Sequence, residues 1–261
     1  MFMPRIRFTV AYRGTGLCGW QKQKHMKEPS VAGLLEEALQ KVLNEPVSLY
    51  ASGRTDAGVH ALNQVCHFDT TRVFSPKWDF CWAVNSQLPP FIVVKKAWIA
   101  PDDFHATISA THKTYKYLLL NRHRPSPFLQ PYSHWLRKPL NLDFLNECSQ
   151  FVVGTHDFKS FQSEGTPVQS TVRTIYRAGW RHKRADMLEF SVTGSGFLKQ
   201  MVRNIVGTQL MLERKGLKSA LMAEIMASHD RKNAGPPAPA EGLYLYRVYY
   251  PSTLDNQCRE L

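Results

Sequence analysis

Between Ser30 and Asn44 the apolar residues fall at Val31, Leu34, Leu35, Ala38, Leu39, Val42 and Leu43, a spacing that only a helix gathers onto one face. Glu36, Glu37, Gln40 and Lys41 fall on its polar side. Ser30 offers a hydroxyl to the first turn, and Asn44-Glu45-Pro46 stops the run. Such a helix needs a surface on which to bury its stripe. The flanking segments supply it: Ile6, Phe8 and Val10 alternate with Arg5, Arg7 and Thr9, and Val47–Ala51, Gln64–Phe68 and Val93–Ile99 also read as strands. A further helix is expected from Trp78 to Asn85, broken by Pro89-Pro90. Strand, helix, strand, loop, strand is the order of a ferredoxin-like α+β unit.

The second half repeats the alternation. Tyr115–Leu120 reads as a strand, and Asn141–Val153 as a helix with Leu142, Leu145, Cys148, Ser149 and Val152 along one side. Val172–Trp180 and Met187–Thr193 read as strands joined by the basic turn Arg181-His182-Lys183-Arg184. Phe197–Leu212 reads as a second strong helix, Leu243–Tyr249 as a closing strand, and Pro236–Pro239 as a stiff loop rather than a linker. The expected architecture is α+β: two ferredoxin-like subdomains, residues 1–105 and 106–261, meeting near Asp102–Ala106. They are expected to join through a largely antiparallel sheet, with helices packed on one side and a basic cleft on the other.

Composition narrows the function. Lys and Arg total 33 against 21 Asp and Glu, a net charge of +12 with His neutral, which favours a polyanionic partner. Nucleic acid fits better than a membrane surface, because no basic helix with a large apolar face is present. No apolar run reaches spanning length and Met1–Arg5 leads straight into a strand pattern, so neither membrane insertion nor a signal peptide is expected. Cys18, Cys66, Cys81, Cys148 and Cys258 are odd in number and widely spaced, with no Cys-x-x-Cys pair; they read as reduced thiols of a cytoplasmic protein. The Gly-rich stretch Tyr12–Gln21 lacks the Lys-Ser/Thr ending of a P-loop and is not expected to hold a nucleotide cofactor.

The chemistry is expected at Ser52-Gly53-Arg54-Thr55-Asp56-Ala57-Gly58-Val59-His60-Ala61, a charged loop between two strand-like segments. Asp and Gly also dominate ordinary turns. Against that plain reading, Arg54 and Asp56 are two apart and share a face of an extended segment. A guanidinium beside a carboxylate keeps it ionised. Gly53 and Gly58 let backbone approach a bulky ligand.

The run Gly53–Ala61 resembles the signature of the TruA-type tRNA pseudouridine synthases. Gly19-Trp20-Gln21, Asp102–Ala106, Lys113–Tyr117, Phe197–Gly207 and Ala240–Leu245 resemble further blocks of that family, in the same order. The resemblance runs to about Pro251. It implies isomerisation of uridine to pseudouridine in the anticodon stem-loop of tRNA, at its positions 38, 39 and 40, by a homodimer with Asp56 as the catalytic residue. The ribose C1′–N1 bond breaks, the uracil turns, and C5 bonds to C1′. This exchange is neither a redox step nor a phosphoryl transfer, so no cofactor or metal is expected. An ordinary Asp, with a pKa of about 3.9, is ionised at neutral pH. It can add to C1′ as a retaining glycosidase carboxylate does, or take the ribose 2′ proton and pass through a glycal; the residues leave both routes open.

Arg54 has two candidate tasks, pairing with Asp56 and filling the gap left by a flipped uridine. Tyr115 matches the family tyrosine that lies against the target base. Arg203 sits in an apolar helical stretch four residues after Lys199, so that the two share a face, and it needs an anion: Asp56, an RNA phosphate or a structural carboxylate. His60 and His67 read as structural or RNA-edge residues. Lys95-Lys96, Arg122-His123-Arg124 and Arg181–Arg184 are candidate phosphate contacts. Three positions depart from the family pattern: Arg13 stands where Asp is usual, Leu17 where an aromatic is common, and Thr107 where Arg is typical. They bear on RNA grip rather than chemistry. Two other functions fit parts of the pattern. One is a non-catalytic RNA-binding or RNA-chaperone module. The other is a nucleoside or glycoside hydrolase with Glu164 or Asp102 as second carboxylate.

Overall fold

A computed structural model describes residues 3–22, 27–75, 78–165 and 168–261. It is a mixed α+β fold with mostly antiparallel strands, and it divides into two compact units. Met1–Thr111 and Leu245–Leu261 form the first and His112–Tyr244 the second. The sequence-based division is 1–105 and 106–261; the compact units instead divide after Thr111 and after Tyr244.

The first unit opens with β1 (Arg5–Tyr12), α1 (Val31–Leu43), β2 (Tyr50–Ala51), β3 (His60–Asp69), α2 (Phe80–Asn85) and β4 (Ile92–Ala100). Strand β1 lies between β3 and β4, antiparallel to both, with Phe8 opposite Cys66 and Ala97. Ile6, Phe8 and Val10 are fully buried, and Phe80 of α2 closes over Phe8 and Phe68 with ring centroids 6.3 and 6.2 Å away. The caps of α1 are those the residues offer. The Ser30 hydroxyl accepts from the Gly33 N–H, and Asn44 ends the helix in the left-handed region at φ 56°. Helix α2 begins at Phe80 rather than Trp78, with Asp79 as its cap. The strand expected over Val47–Ala51 is reduced to the two residues of β2.

The second unit contains β5 (His112–Asn121), β6 (His134–Leu136), α3 (Leu142–Gln150), β7 (Gly154–Asp157), β8 (Val172–Arg184), β9 (Met187–Gly194), α4 (Met201–Arg214) and α5 (Leu221–Ala227). Its strands run in the order β5-β9-β8-β7, and β6 pairs parallel to β5. Trp180 anchors the layers: its indole N–H donates to Gln209 of α4 at 2.8 Å, and its ring packs on Phe190.

Two expectations change here. Arg181–Arg184 is not a turn but the last stretch of β8. It is held in the strand by Glu189, a carboxylate 1% exposed with Arg181 at 2.7 Å and Lys116 at 3.2 Å. Helix α4 begins at Met201 rather than Phe197, because Gln200 turns into the left-handed region at φ 58°. The Pro236–Pro239 loop is packed on α4: a Cβ at Gly207 would collide with the Pro236 carbonyl, and the Ala238 N–H donates to Arg203 O at 2.9 Å.

The chain then returns to the first unit through β10 (Leu243–Tyr249), α6 (Ser252–Asp255) and β11 (Arg259–Glu260). Strand β10 lies beside β3 and β11 beside β4. Asn63 donates to Tyr246 O at 2.8 Å and the Thr111 N–H to Tyr249 O at 2.9 Å. These bonds are why the last residues belong with the first. On the sheet face turned away from Phe8, a cleft of about 610 Å³ is lined by Arg7, Lys95, Lys96, Trp98, Arg247 and Asp255 among others. Among the described residues no helix is long and apolar enough to cross a membrane.

Candidate active site

The loop between β2 and β3 is fixed from below by buried polar bonds. Ser52 is fully buried; its hydroxyl donates to Gln64 Oε1 at 2.6 Å, and Gln64 Nε2 donates to the Gly53 carbonyl at 2.7 Å. The Thr55 hydroxyl meets the Tyr12 hydroxyl at 2.8 Å in a buried pair. A turn follows: the Val59 N–H donates to Asp56 O at 3.1 Å, and Gly58 takes φ 78°, a conformation cheap only for glycine. Asp56 is held half-buried between buried Thr55 and exposed Ala57.

The Gly-rich stretch after β1 is the second wall of this loop. Trp20 N–H donates to Thr55 O at 3.0 Å, and Gly14 N–H donates to His60 Nδ1 at 3.0 Å. A Cβ on Gly14 would collide with the Val59 carbonyl, and one on Gly19 would lie 2.7 Å from Thr55 O. The two glycines are therefore there for close approach, not for a phosphate. His60, 1% exposed, accepts at Nδ1 and so carries its neutral-ring proton on Nε2. It staples two loops together, as its reading as a structural residue requires.

Arg54 is exposed and makes no ion pair among the described residues. The pair with Asp56 expected from their spacing is absent. The segment 53–56 is not strand, and buried Thr55 separates an outward Arg54 from a half-buried Asp56. His67 is buried against Tyr50, stacked at 5.0 Å, and His105 at 4.7 Å. Burial, followed by the neighbouring His105 and Arg5 charges, lowers its pKa to about 4.

Tyr115 and Arg203 belong to the second unit. Tyr115, 8% exposed, meets Phe197 edge to face at 4.9 Å. Arg203 is half-buried on α4, and its Nε donates to Ala238 O at 2.7 Å. Lys199 does not share its face: it precedes the helix and donates to Glu164 O at 2.7 Å. Of the three departures, Leu17 is buried and Thr107 donates its hydroxyl to Ala51 O at 2.6 Å, so both serve the scaffold. Arg13 is exposed, with its guanidinium over the Phe91 ring at 5.7 Å. The sequence reading missed the Tyr12–Thr55 pair and the mating of the two loops; the only signal for either was Gly14 and Gly19 among the three glycines of Tyr12–Gln21.

The chain matches the family model described as tRNA pseudouridine synthase over residues 9–107 and 149–251. It is 64% identical over 259 residues to the tRNA pseudouridine synthase A of Bdellovibrio bacteriovorus, covering 98% of this chain and 99% of that one. The proteins of the same name from Ruminiclostridium cellulolyticum and Geobacillus kaustophilus are 40% and 44% identical. They cover 95% and 94% of this chain, and 100% and 94% of their own lengths.

Proposed function

This chain belongs to the tRNA pseudouridine synthase family, and we propose that it isomerises uridine to pseudouridine in the anticodon stem-loop of tRNA, with Asp56 as the acting carboxylate. The observation that carries the reading is the Asp56 loop itself. Its acid is half-buried and its backbone is locked from two sides by Tyr12–Thr55, Gln64–Gly53 and Trp20–Thr55 bonds. A carboxylate that must meet one ribose carbon gains from such preorganisation, since it loses no freedom at the moment of reaction.

Arg54, outward and unpaired among the described residues, is suited to the gap left in the stack when the uridine turns out. Flipping a base costs a few kcal/mol, and a planar cation that stacks and bonds phosphate offsets part of it. Tyr115 is assigned to the face of the target uracil, a contact worth about 1–3 kcal/mol. Arg203, anchored through Nε at Ala238, is assigned to hold negative charge of the substrate. A homodimer in the cytoplasm, working without cofactor, completes the reading; a sedimentation mass of a single chain would remove its dimer.

Asp56→Asn is the decisive variant. It is expected to keep tRNA affinity within about twofold, because this isosteric change removes one negative charge and no phosphate contact, and to abolish pseudouridine formation. Mapping pseudouridine in bulk tRNA exposed to each protein gives the readout. Normal turnover by Asp56→Asn would remove the assignment, and release of free uracil would make the enzyme a hydrolase.

A further inference from the structure

We propose that Arg13 is a second RNA-gripping cation of the Asp56 site, bonding a phosphate of the strand that carries the target uridine. The proposal deepens the function proposed above and rests on it. Tyr12, the last residue of β1, is paired with Ala61 on one side and Ile92 on the other. Arg13 therefore leaves the sheet at the end where the Asp56 loop enters it. The next residue, Gly14, is pressed on the Val59 carbonyl and bonded to His60, so Arg13 cannot drift from that loop without breaking the mating of the two.

The side chain is held as well as placed. The Arg13 N–H donates to Phe91 O at 3.0 Å, and the guanidinium lies over the Phe91 ring at 5.7 Å, an arrangement that holds the plane while leaving its N–H fork to solvent. Arg5 and Arg7, on the same strand, are each taken up by a carboxylate, Asp69 at 2.8 Å and Asp255 at 2.5 Å. Arg13 makes no ion pair among the described residues. An exposed, ring-held guanidinium on the loop that mates with the Asp56 loop suits a phosphate of the strand that carries the target nucleotide. An aspartate there would repel the same backbone.

The test compares wild type, Arg13→Gln and Arg13→Asp with Lys41→Gln, which removes the same charge from the exposed end of α1. Pseudouridine formation on bulk tRNA is followed across a salt titration. Arg13→Gln should raise KM roughly three- to tenfold with kcat within about twofold, and flatten the slope of log(kcat/KM) against log salt by about one. Arg13→Asp should go further in the same direction, and Lys41→Gln should change neither quantity. The proposal is overturned if Arg13→Gln behaves as wild type, if Lys41→Gln matches it, or if kcat falls with KM unchanged. Should the wild type form no pseudouridine, the functional reading fails instead. The same titration of tRNA binding, with a shallower slope for Arg13→Gln than for Lys41→Gln, then still decides the contact.

Discussion

The hydroxyls of Tyr12 and Thr55 meet at 2.8 Å in a buried bond, joining the end of the first strand to the residue before Asp56. Tyr12→Phe keeps the ring and deletes this tie. Breaking a buried polar bond costs about 1–3 kcal/mol, so urea unfolding should show a loss of that size. Turnover should fall while KM moves little, because the loop that carries the acid loosens and no RNA contact is removed. Unchanged stability and turnover would strike the tie from the account.

Gly14 and Gly16 lie two residues apart and make opposite predictions. Gly14→Ala drives a methyl into the Val59 carbonyl and must push the Asp56 loop aside. Displacements near 1 Å cost on the order of 100-fold in rate, so turnover should drop at least about tenfold. Gly16 has φ +79° and open space around its Cβ position. Gly16→Ala should cost about 1–2 kcal/mol of backbone strain with near-normal turnover. Equal activity of the two variants would show that the loops are not mated in solution.

His67 sets an acid limit. Burial lowers its pKa from an ordinary 6.5 to about 4, so the unfolded chain takes a proton first as pH falls. Stability contributed by the neutral ring is whole above about pH 6.5 and declines as pH falls toward 4, where the folded ring also protonates. Urea midpoints between pH 7.5 and 4 should fall in that window, and imidazole NMR shifts should place the His67 titration near 4. A His67 titration near 6.5 would contradict its burial against Tyr50 and His105.

Periodicity revealed what depends on local pattern. The apolar stripe of α1 and the capping pair Ser30 and Asn44 were readable because one helix face and two caps are properties of a short window. Helix α4 was read four residues too early, because Phe197 and Leu198 continue its apolar rhythm while Gln200 breaks the backbone at φ 58°, which no side-chain pattern announces. The basic run Arg181–Arg184 looked like a turn until buried Glu189, on the neighbouring strand, supplied its counter-charge. In the Asp56 loop the residue types were legible. The absence of an Arg54–Asp56 pair was not, since spacing gives a shared face only if the segment is extended. The bond between Tyr12 and Thr55 spans 43 positions, beyond the reach of any window.

The return of β10 to the side of β3 has a consequence for biosynthesis. While the ribosome is still making the second unit, the long strand His60–Asp69 has Tyr12's strand on one flank and, on the other, only the two residues of β2, opposite His67 and Cys66; the rest of that hydrogen-bonding edge is bare. That edge stays open until residues near Tyr249 leave the exit tunnel. A nascent chain stalled before then would expose an edge that invites pairing with another chain, so the Asp56 loop comes to rest on a finished scaffold only once β10 has taken its place beside β3.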